Sequence, residues 1–416
     1  MINFMKLIGK RAKDAMNKKI NTKIKNKVLL KYLSMIEKNR NLIIKENKKD
    51  VQIAHKKGLK AQLIDRLTIN QNKIDSIKKS INQIIKLKDP VDITLDTWKR
   101  PNNLIIKKVS IPLGVIGVIF ESRPNVASDV SCLCFKSGNA VILKGGSEAL
   151  NTNKILIRLF RIALKKNRVD TNYIQLIEKK ERKYVDYMLS KMSNYIDIII
   201  PRGGKNLVKK VQTLSNIPTI GHLEGICHTY IDKDADLKMS IKIIHNAKLR
   251  NTSICGATET ILLNKNIVKS FCNPILQKLE ENGCKIIGDK YLQKFYKNKI
   301  TKVREKDWST EYLSPIVSVK CVNNCEEAVK HINKYGTMHT DCIITKNKKT
   351  ANSFLKDVKS SIAMHNTSTQ FADGGEFGFG GEVGISTNKM PPRGPVGLKQ
   401  LVSYKYEVIG KGQIRK

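Results

Sequence analysis

At 416 residues the chain exceeds what one hydrophobic core fills, so two or more domains are expected. No run reaches about 18 apolar residues, and the start is interrupted by Lys and Arg every few residues, which excludes a membrane-spanning helix and a signal peptide from the reading. The formal charge of +41 is spread over nearly every segment alongside many Asn and Ile, as A/T-biased coding produces, and forms no basic stripe interleaved with aromatics; nucleic-acid binding is therefore not expected.

In chain order, residues 1–85 are predicted helical: Leu29, Leu33 and Ile36 form an i, i+4, i+7 stripe, and neither Gly nor Pro interrupts 11–57. A turn follows at Asp89-Pro90, and "TWKRPNNLIIKKVSIP" is expected to form two short strands, a hairpin around Pro101, Asn102 and Asn103. "LGVIGVIF" suits a strand buried on both faces. Arg123 and Asn125 come directly after it, as polar groups at the carboxyl edge of a sheet or as an ordinary solvated turn.

The segment "NAVILKGGSEALNTNK" is a strand, a Gly-Gly turn and the start of a long amphipathic helix. Gly145 and Gly146 there would let a phosphate approach exposed N–H groups, Ser147 would cap the helix and Lys144 would add a cation. A plain tight turn explains the same residues. "YIDIIIPRGG" repeats the strand-to-Gly-Gly pattern. Strands alternating with helices predict an α/β fold with a doubly wound parallel sheet, in which ligands bind beyond the carboxyl ends of strands. The second half continues the alternation, with strands at "ETILLN", "SPIVSVK" and "DCIITK" and helices at 235–249, 266–282 and 325–334.

Nine cysteines, an odd number scattered over the chain, are expected to be reduced thiols in a cytosol. Cys132/Cys134 and Cys321/Cys325 lack a second ligand pair or a His at zinc-finger spacing, so no metal is expected. Cys255, in "NTSICGATETILL", lies in a loop between a helix and a strand, which suits a reactive thiol and equally a small buried side chain.

Four long stretches carry a resemblance: "IPLGVIGVIFESRPNVASDVSCLCFKSGNAVILKGGSEA", "IPRGGKNLVKKVQTLSNIPTIGHLEGICHTYIDKDADL", "EEAVKHINKYGTMHTDCIIT" and "FADGGEFGFGGEVGISTNKMPPRGPVGL". Together they resemble the gamma-glutamyl phosphate reductases, also called glutamate-5-semialdehyde dehydrogenases, of the aldehyde dehydrogenase superfamily. The resemblance implies an aldehyde-dehydrogenase-like fold: a doubly wound NADPH-binding domain (1–96 and 112–222), an α/β catalytic domain (223–386), and a small β oligomerisation arm (97–111 with 387–416). It implies NADPH-dependent reduction of L-glutamate 5-phosphate to the 5-semialdehyde with release of phosphate, the second step of proline biosynthesis, through a cysteine thioester.

The resemblance sets Cys255 as nucleophile, with Asn125 assisting the oxyanion. Lys144, Gly145, Gly146, Ser147 and Glu311 would serve the cofactor; Arg123, Arg202 and His222 would serve the substrate. His222 stands where hydrolytic aldehyde dehydrogenases carry a general-base Glu, and Glu224 lies two residues away. Gly256 and Gln370 depart from the family's usual Asn and Arg. A homo-oligomer, functional coupling to a separate glutamate 5-kinase and a cytoplasmic location are implied. A hydrolytic NAD(P)-dependent aldehyde dehydrogenase and, more remotely, a basic nucleic-acid-binding protein are the alternative readings.

Overall fold

The structure is a computed structural model that describes residues 1–121 and 123–415, apart from the side chain of Gln62. It divides into two compact units: Met1–Gly221 with Gly378–Gly384 and Pro395–Lys416, and His222–Phe377 with Ile385–Gly394.

The first unit opens with five helices, α1 (Ile2–Met16), α2 (Thr22–Lys38), α3 (Arg40–Lys56), α4 (Ala61–Leu67) and α5 (Gln71–Lys86). Asn21 and Asn70 start α2 and α5 by accepting the backbone N–H three residues on. On α5, Ile74, Ile77, Ile81 and Ile84 recur at helical spacing and are all buried. Each stabilises the unit by roughly 1.5–3 kcal/mol relative to exposure.

Four parallel strands follow: β1 (Val115–Phe120), β2 (Ala140–Gly145), β3 (Ile174–Leu176) and β4 (Ile198–Arg202), in spatial order β3-β2-β1-β4. Every residue of β1 and β2 is buried, as expected for strands covered on both faces. Two helices matter for the residues singled out above, α6 (Asn125–Lys136) after β1 and α7 (Leu150–Lys166) after β2. The expected hairpin is present as Thr94–Lys99 paired antiparallel with Ile105–Pro112, and Val402–Ile409 adds a third antiparallel strand.

The second unit holds one seven-stranded sheet. Its strands are β5 (Cys227–Ile231), β6 (Thr258–Asn264), β7 (Lys285–Gly288), β8 (Thr301–Lys302), β9 (Ile316–Val322), β10 (Thr340–Ile344) and β11 (Ile362–His365). They lie in the order β8-β7-β9-β6-β5-β10-β11, and every pair is parallel. The helices α8 (Leu237–Leu249), α9 (Val268–Glu280) and α10 (Cys325–Tyr335) connect strands of this sheet. Two buried polar pairs tie it together: Lys248 on α8 with Glu259 on β6, and His228 on β5 with Asp341 on β10 at 2.8 Å. Asp341 Oδ1 also accepts the His228 backbone N–H at 2.7 Å, which fixes the side-chain pair to the backbone of β5.

Candidate active site

The second unit gathers its reactive groups at the amino-terminal edge of its sheet. Gly225 precedes β5, Cys255 precedes β6, His339 immediately precedes β10, and Glu311 lies in the approach to β9. The carboxyl-edge rule therefore points away from this site. Here the candidate residues lie on the loops entering the strands.

Cys255 occupies the second position of a tight turn closed by the Ala257 N–H donating to Ile254 O at 3.0 Å. The turn is held on its N-terminal side by Gln370. That side chain is buried, accepts from Arg250 Nε at 2.8 Å and donates to Ala247 O at 2.8 Å and Asn251 O at 3.3 Å. Gln370 is thus a strut between α8 and the cysteine loop. On the other side, Thr258 shares hydroxyl bonds with Thr229 at 2.8 Å and Thr369 at 3.0 Å.

One donor atom from each of His222, Cys255 and His339 lies within 4.8 Å of the others. The two imidazoles meet edge to face, 4.7 Å between centroids and 75° between planes. His222 Nδ1 bonds to Ile385 O at 2.8 Å; a carbonyl only accepts, so this nitrogen carries the proton. His339 Nδ1 bonds to Thr340 Oγ1 at 2.9 Å, and its Nε2 is buried without a hydrogen-bond partner.

Burial pushes the Cys255 thiol up, but the nearby charges of His339 and then His222 outweigh it and hold the thiol well below its ordinary range. The other eight cysteines all have raised thiols, with burial the first cause in each. Cys227, whose Sγ donates to Cys255 O at 3.0 Å, is among them. Cys255 is the one thiol of the nine held below its ordinary range.

Glu311 stands on the same edge. Its Oε1 accepts the Gly225 N–H at 2.8 Å, and burial raises its carboxyl, with repulsion from Cys255 adding to the rise. Glu224 acts as a further repulsive charge on Glu311, whereas His222 is the residue grouped with the thiol.

The remaining singled-out residues belong to the first unit. Asn125, exposed at the start of α6, donates to Asp129 Oδ2 at 3.2 Å. Arg202, at the end of β4, pairs with Glu382 at 3.0 Å and also acts on Asp129. Arg123 is half-buried beside the N-terminus of α6.

At the end of β2, Lys144 is buried and donates to Gly145 O at 3.0 Å. The Gly146 N–H is spent on Phe120 O at 2.8 Å, the N-cap of the long helix α7 is Ala149 and not Ser147, and a Cβ on Gly146 would stand 2.1 Å from a Glu148 carboxylate oxygen. The turn thus has one of its two glycine N–H groups already bonded within the protein. Its amine, its carboxylate and the buried Asn153 amide, both of whose polar atoms lack a hydrogen-bond partner beside Gly145, suit a ligand rich in hydroxyls, such as a ribose.

Sequence reasoning missed His339. It lies in "YGTMHTD" with no local pattern around it, and only the parallel pairing of β10 with β5 brings it to the cysteine's edge. None of the described helices is long and apolar enough to cross a membrane.

The sequence matches the aldehyde dehydrogenase family over residues 6–290 and 300–401. It is 44% identical over 414 residues to the gamma-glutamyl phosphate reductase of Nautilia profundicola, covering 99% of this chain and 100% of that one. The crystal structure of gamma-glutamyl phosphate reductase from Thermotoga maritima superposes with a TM-score of 0.96 at 37% identity, covering 99% of this chain and 100% of that one. An acetylating aldehyde dehydrogenase from Geobacillus thermoglucosidasius shares the fold, with a TM-score of 0.71 at 16% identity over 100% of this chain and 98% of that one.

Proposed function

The chain belongs to the gamma-glutamyl phosphate reductases of the aldehyde dehydrogenase family, and from that premise we propose that it reduces L-glutamate 5-phosphate to L-glutamate 5-semialdehyde with release of phosphate, the second step of proline biosynthesis. The observation that carries the chemistry is the Cys255 thiol, held low between two imidazoles while every other cysteine is raised.

In this reading the Cys255 thiolate attacks the acyl carbon, and the bond from that carbon to the phosphate oxygen breaks, leaving a thioester on the chain. His339 stabilises the thiolate before attack. His222, with its Nδ1 proton committed to Ile385 O, is assigned to the departing phosphate in its doubly protonated form, donating from Nε2. Backbone N–H groups of the 254–257 turn hold the developing oxyanion, with Asn125 assigned to assist it. Arg123 and Arg202 are assigned to the substrate's carboxylate and phosphate, because a guanidinium pairs either in a planar fork.

Among the described residues no carboxylate belongs to the Cys255 cluster, which comprises two imidazoles and the thiol. Glu311, whose carboxyl feels the Cys255 charge, has one oxygen committed to the Gly225 N–H. Water activation is therefore weak, and the thioester persists until it is reduced.

A nicotinamide cofactor is the family's reductant, and we assign NADPH; when bound it supplies the hydride that converts the thioester to the aldehyde. Lys144 and Ser147 beside Gly145 and Gly146, joined by Glu148 and Asn153, would hold its ribose, and Glu311 is assigned to its nicotinamide end. We assign the supply of the unstable acyl phosphate to a separate glutamate 5-kinase, and both reactions to the cytoplasm.

The three-stranded antiparallel sheet exposes Leu95, Tyr404, Tyr406 and Val408, each 47–59% accessible, and we assign this apolar face to pairing with a second copy of the chain. The test of the reaction is its reverse: semialdehyde oxidation followed with each nicotinamide, with and without inorganic phosphate. Strict phosphate dependence supports the reading. Phosphate-independent oxidation supports a hydrolytic dehydrogenase instead.

A further inference from the structure

We propose that His222, Cys255 and His339 form a binding site for a borderline-soft divalent cation, Zn²⁺ foremost, whose occupancy blocks the nucleophile and switches the enzyme off. The effect on turnover rests on the reading of Cys255 above; the binding itself does not.

The donor set is two imidazole nitrogens and one sulfur, gathered from three loops that meet at one sheet edge. Their donor atoms all lie within 4.8 Å of one another. A tetrahedral zinc centre, with Zn–N near 2.0–2.1 Å and Zn–S near 2.3 Å, needs donors roughly 3.3–3.7 Å apart. Side-chain rotation of about 1 Å closes the difference without moving a strand.

Both rings are already oriented for such a role. His222 donates its Nδ1 proton to Ile385 O at 2.8 Å, which makes Nε2 the lone-pair nitrogen. His339 is fixed at Nδ1 by Thr340 Oγ1 at 2.9 Å, and its buried Nε2 has no hydrogen-bond partner. Backbone carbonyl and hydroxyl partners of this kind set the tautomer and direction of metal-binding histidines. A buried imidazole nitrogen left unsatisfied is costly, and a cation would relieve that cost.

The ligand chemistry selects the ion. Without a carboxylate in the cluster, Mg²⁺ and Ca²⁺ have nothing to prefer, whereas N₂S suits Zn²⁺ and Co²⁺. Three protein ligands leave a fourth position for water, the arrangement of an exchangeable site. Binding displaces the thiol proton to solvent and forms a metal–sulfur bond, with no change of oxidation state. Cys227 is not a fourth ligand in this account, because its Sγ donates to Cys255 O at 3.0 Å and it is not among the gathered donors. The site is invisible to a search for clustered Cys and His, since its members come from widely separated loops.

The test titrates the intact, metal-free protein with Co²⁺ and, separately, with Zn²⁺. One Co²⁺ per chain, tetrahedral visible bands and a sulfur-to-cobalt charge-transfer band are expected. C255S should abolish the charge-transfer band, H339Q and H222Q should weaken Co²⁺ binding, and C227S should keep the band. Zn²⁺ should displace Co²⁺ and reduce turnover to background, reversed by a chelator. A weak octahedral spectrum, a sulfur band that survives in C255S, or one that C227S removes would overturn the site. Retained turnover in metal-free C255S would overturn the nucleophile assignment instead, and the two failures are read from different signals.

Discussion

Gly225 and Cys255 touch through their backbones. A Cβ built on Gly225 would stand 2.1 Å from Cys255 O and 2.6 Å from Cys255 Cβ, and the Gly225 N–H is fixed by Glu311 Oε1 at 2.8 Å. The glycine is therefore part of the wall that sets the position of the thiol. Gly225→Ala has to push the cysteine loop aside, and a shift of about 1 Å in a reacting group costs about 100-fold in rate. The expected outcome is a kcat lowered by that order with a melting curve only slightly shifted. Unchanged kcat would show that the loop yields freely.

His339 holds the Cys255 thiol down, so its loss should make the thiol more ordinary. With His339→Gln, alkylation of Cys255 by iodoacetamide at neutral pH should slow by about tenfold or more, read as labelling of the peptide that contains it. The raised thiols of the other cysteines provide the slow background. Equal rates in the two proteins would remove His339 from the account.

Asp129 carries a pH prediction. Burial pushes its carboxyl up to about 6, partly offset by Ser80, Asn125 and Arg202. A carboxyl raised in the folded state holds its proton longer than in the unfolded chain, so its contribution to stability is full below about pH 4 and falls as pH rises to about 6. Asp129→Asn removes that pH-dependent loss. Its melting temperature should exceed the parent's by about 2–4 °C at pH 8 and match it at pH 4. A difference independent of pH would contradict the assignment.

The exposed face of the three-stranded sheet predicts association. Tyr406 and Val408 are 55% and 59% accessible, and Tyr404 lies under Lys108 Nζ at 3.9 Å. The double variant Tyr406→Glu, Val408→Glu should run as a monomer in light scattering where the parent runs as an oligomer. An unaltered mass would place the oligomer contact elsewhere.

Much of the scaffold was legible in the chain. β1, β2, β4, β6, β9 and β10 announce themselves as apolar, β-branched runs, because strands covered on both faces leave little choice of side chain. β5 did not: "CHTYI" looks polar, yet all five residues are buried, and its histidine is accommodated by a pair with Asp341 on the neighbouring strand. The site divides similarly. Cys255 and His222 carry enough motif around them to be named, whereas His339 becomes visible only through strand pairing. Gln370, a departure from the family pattern, makes three long-range bonds to the helix and loop before Cys255 that no local sequence pattern announces. At Gly256 a Cβ would meet Thr369 O at 3.1 Å, a tight contact that helps explain a small residue beside the nucleophile.

The most direct measurement is the covalent state of Cys255 during turnover. The protein is mixed with glutamate 5-semialdehyde and NADP⁺ in phosphate-free buffer, quenched, digested and read by mass spectrometry. A glutamyl thioester on the Cys255 peptide that disappears when inorganic phosphate is added is the predicted result. Absence of that adduct while NADPH forms, an adduct on another cysteine, or one that decays equally fast without phosphate would contradict the account.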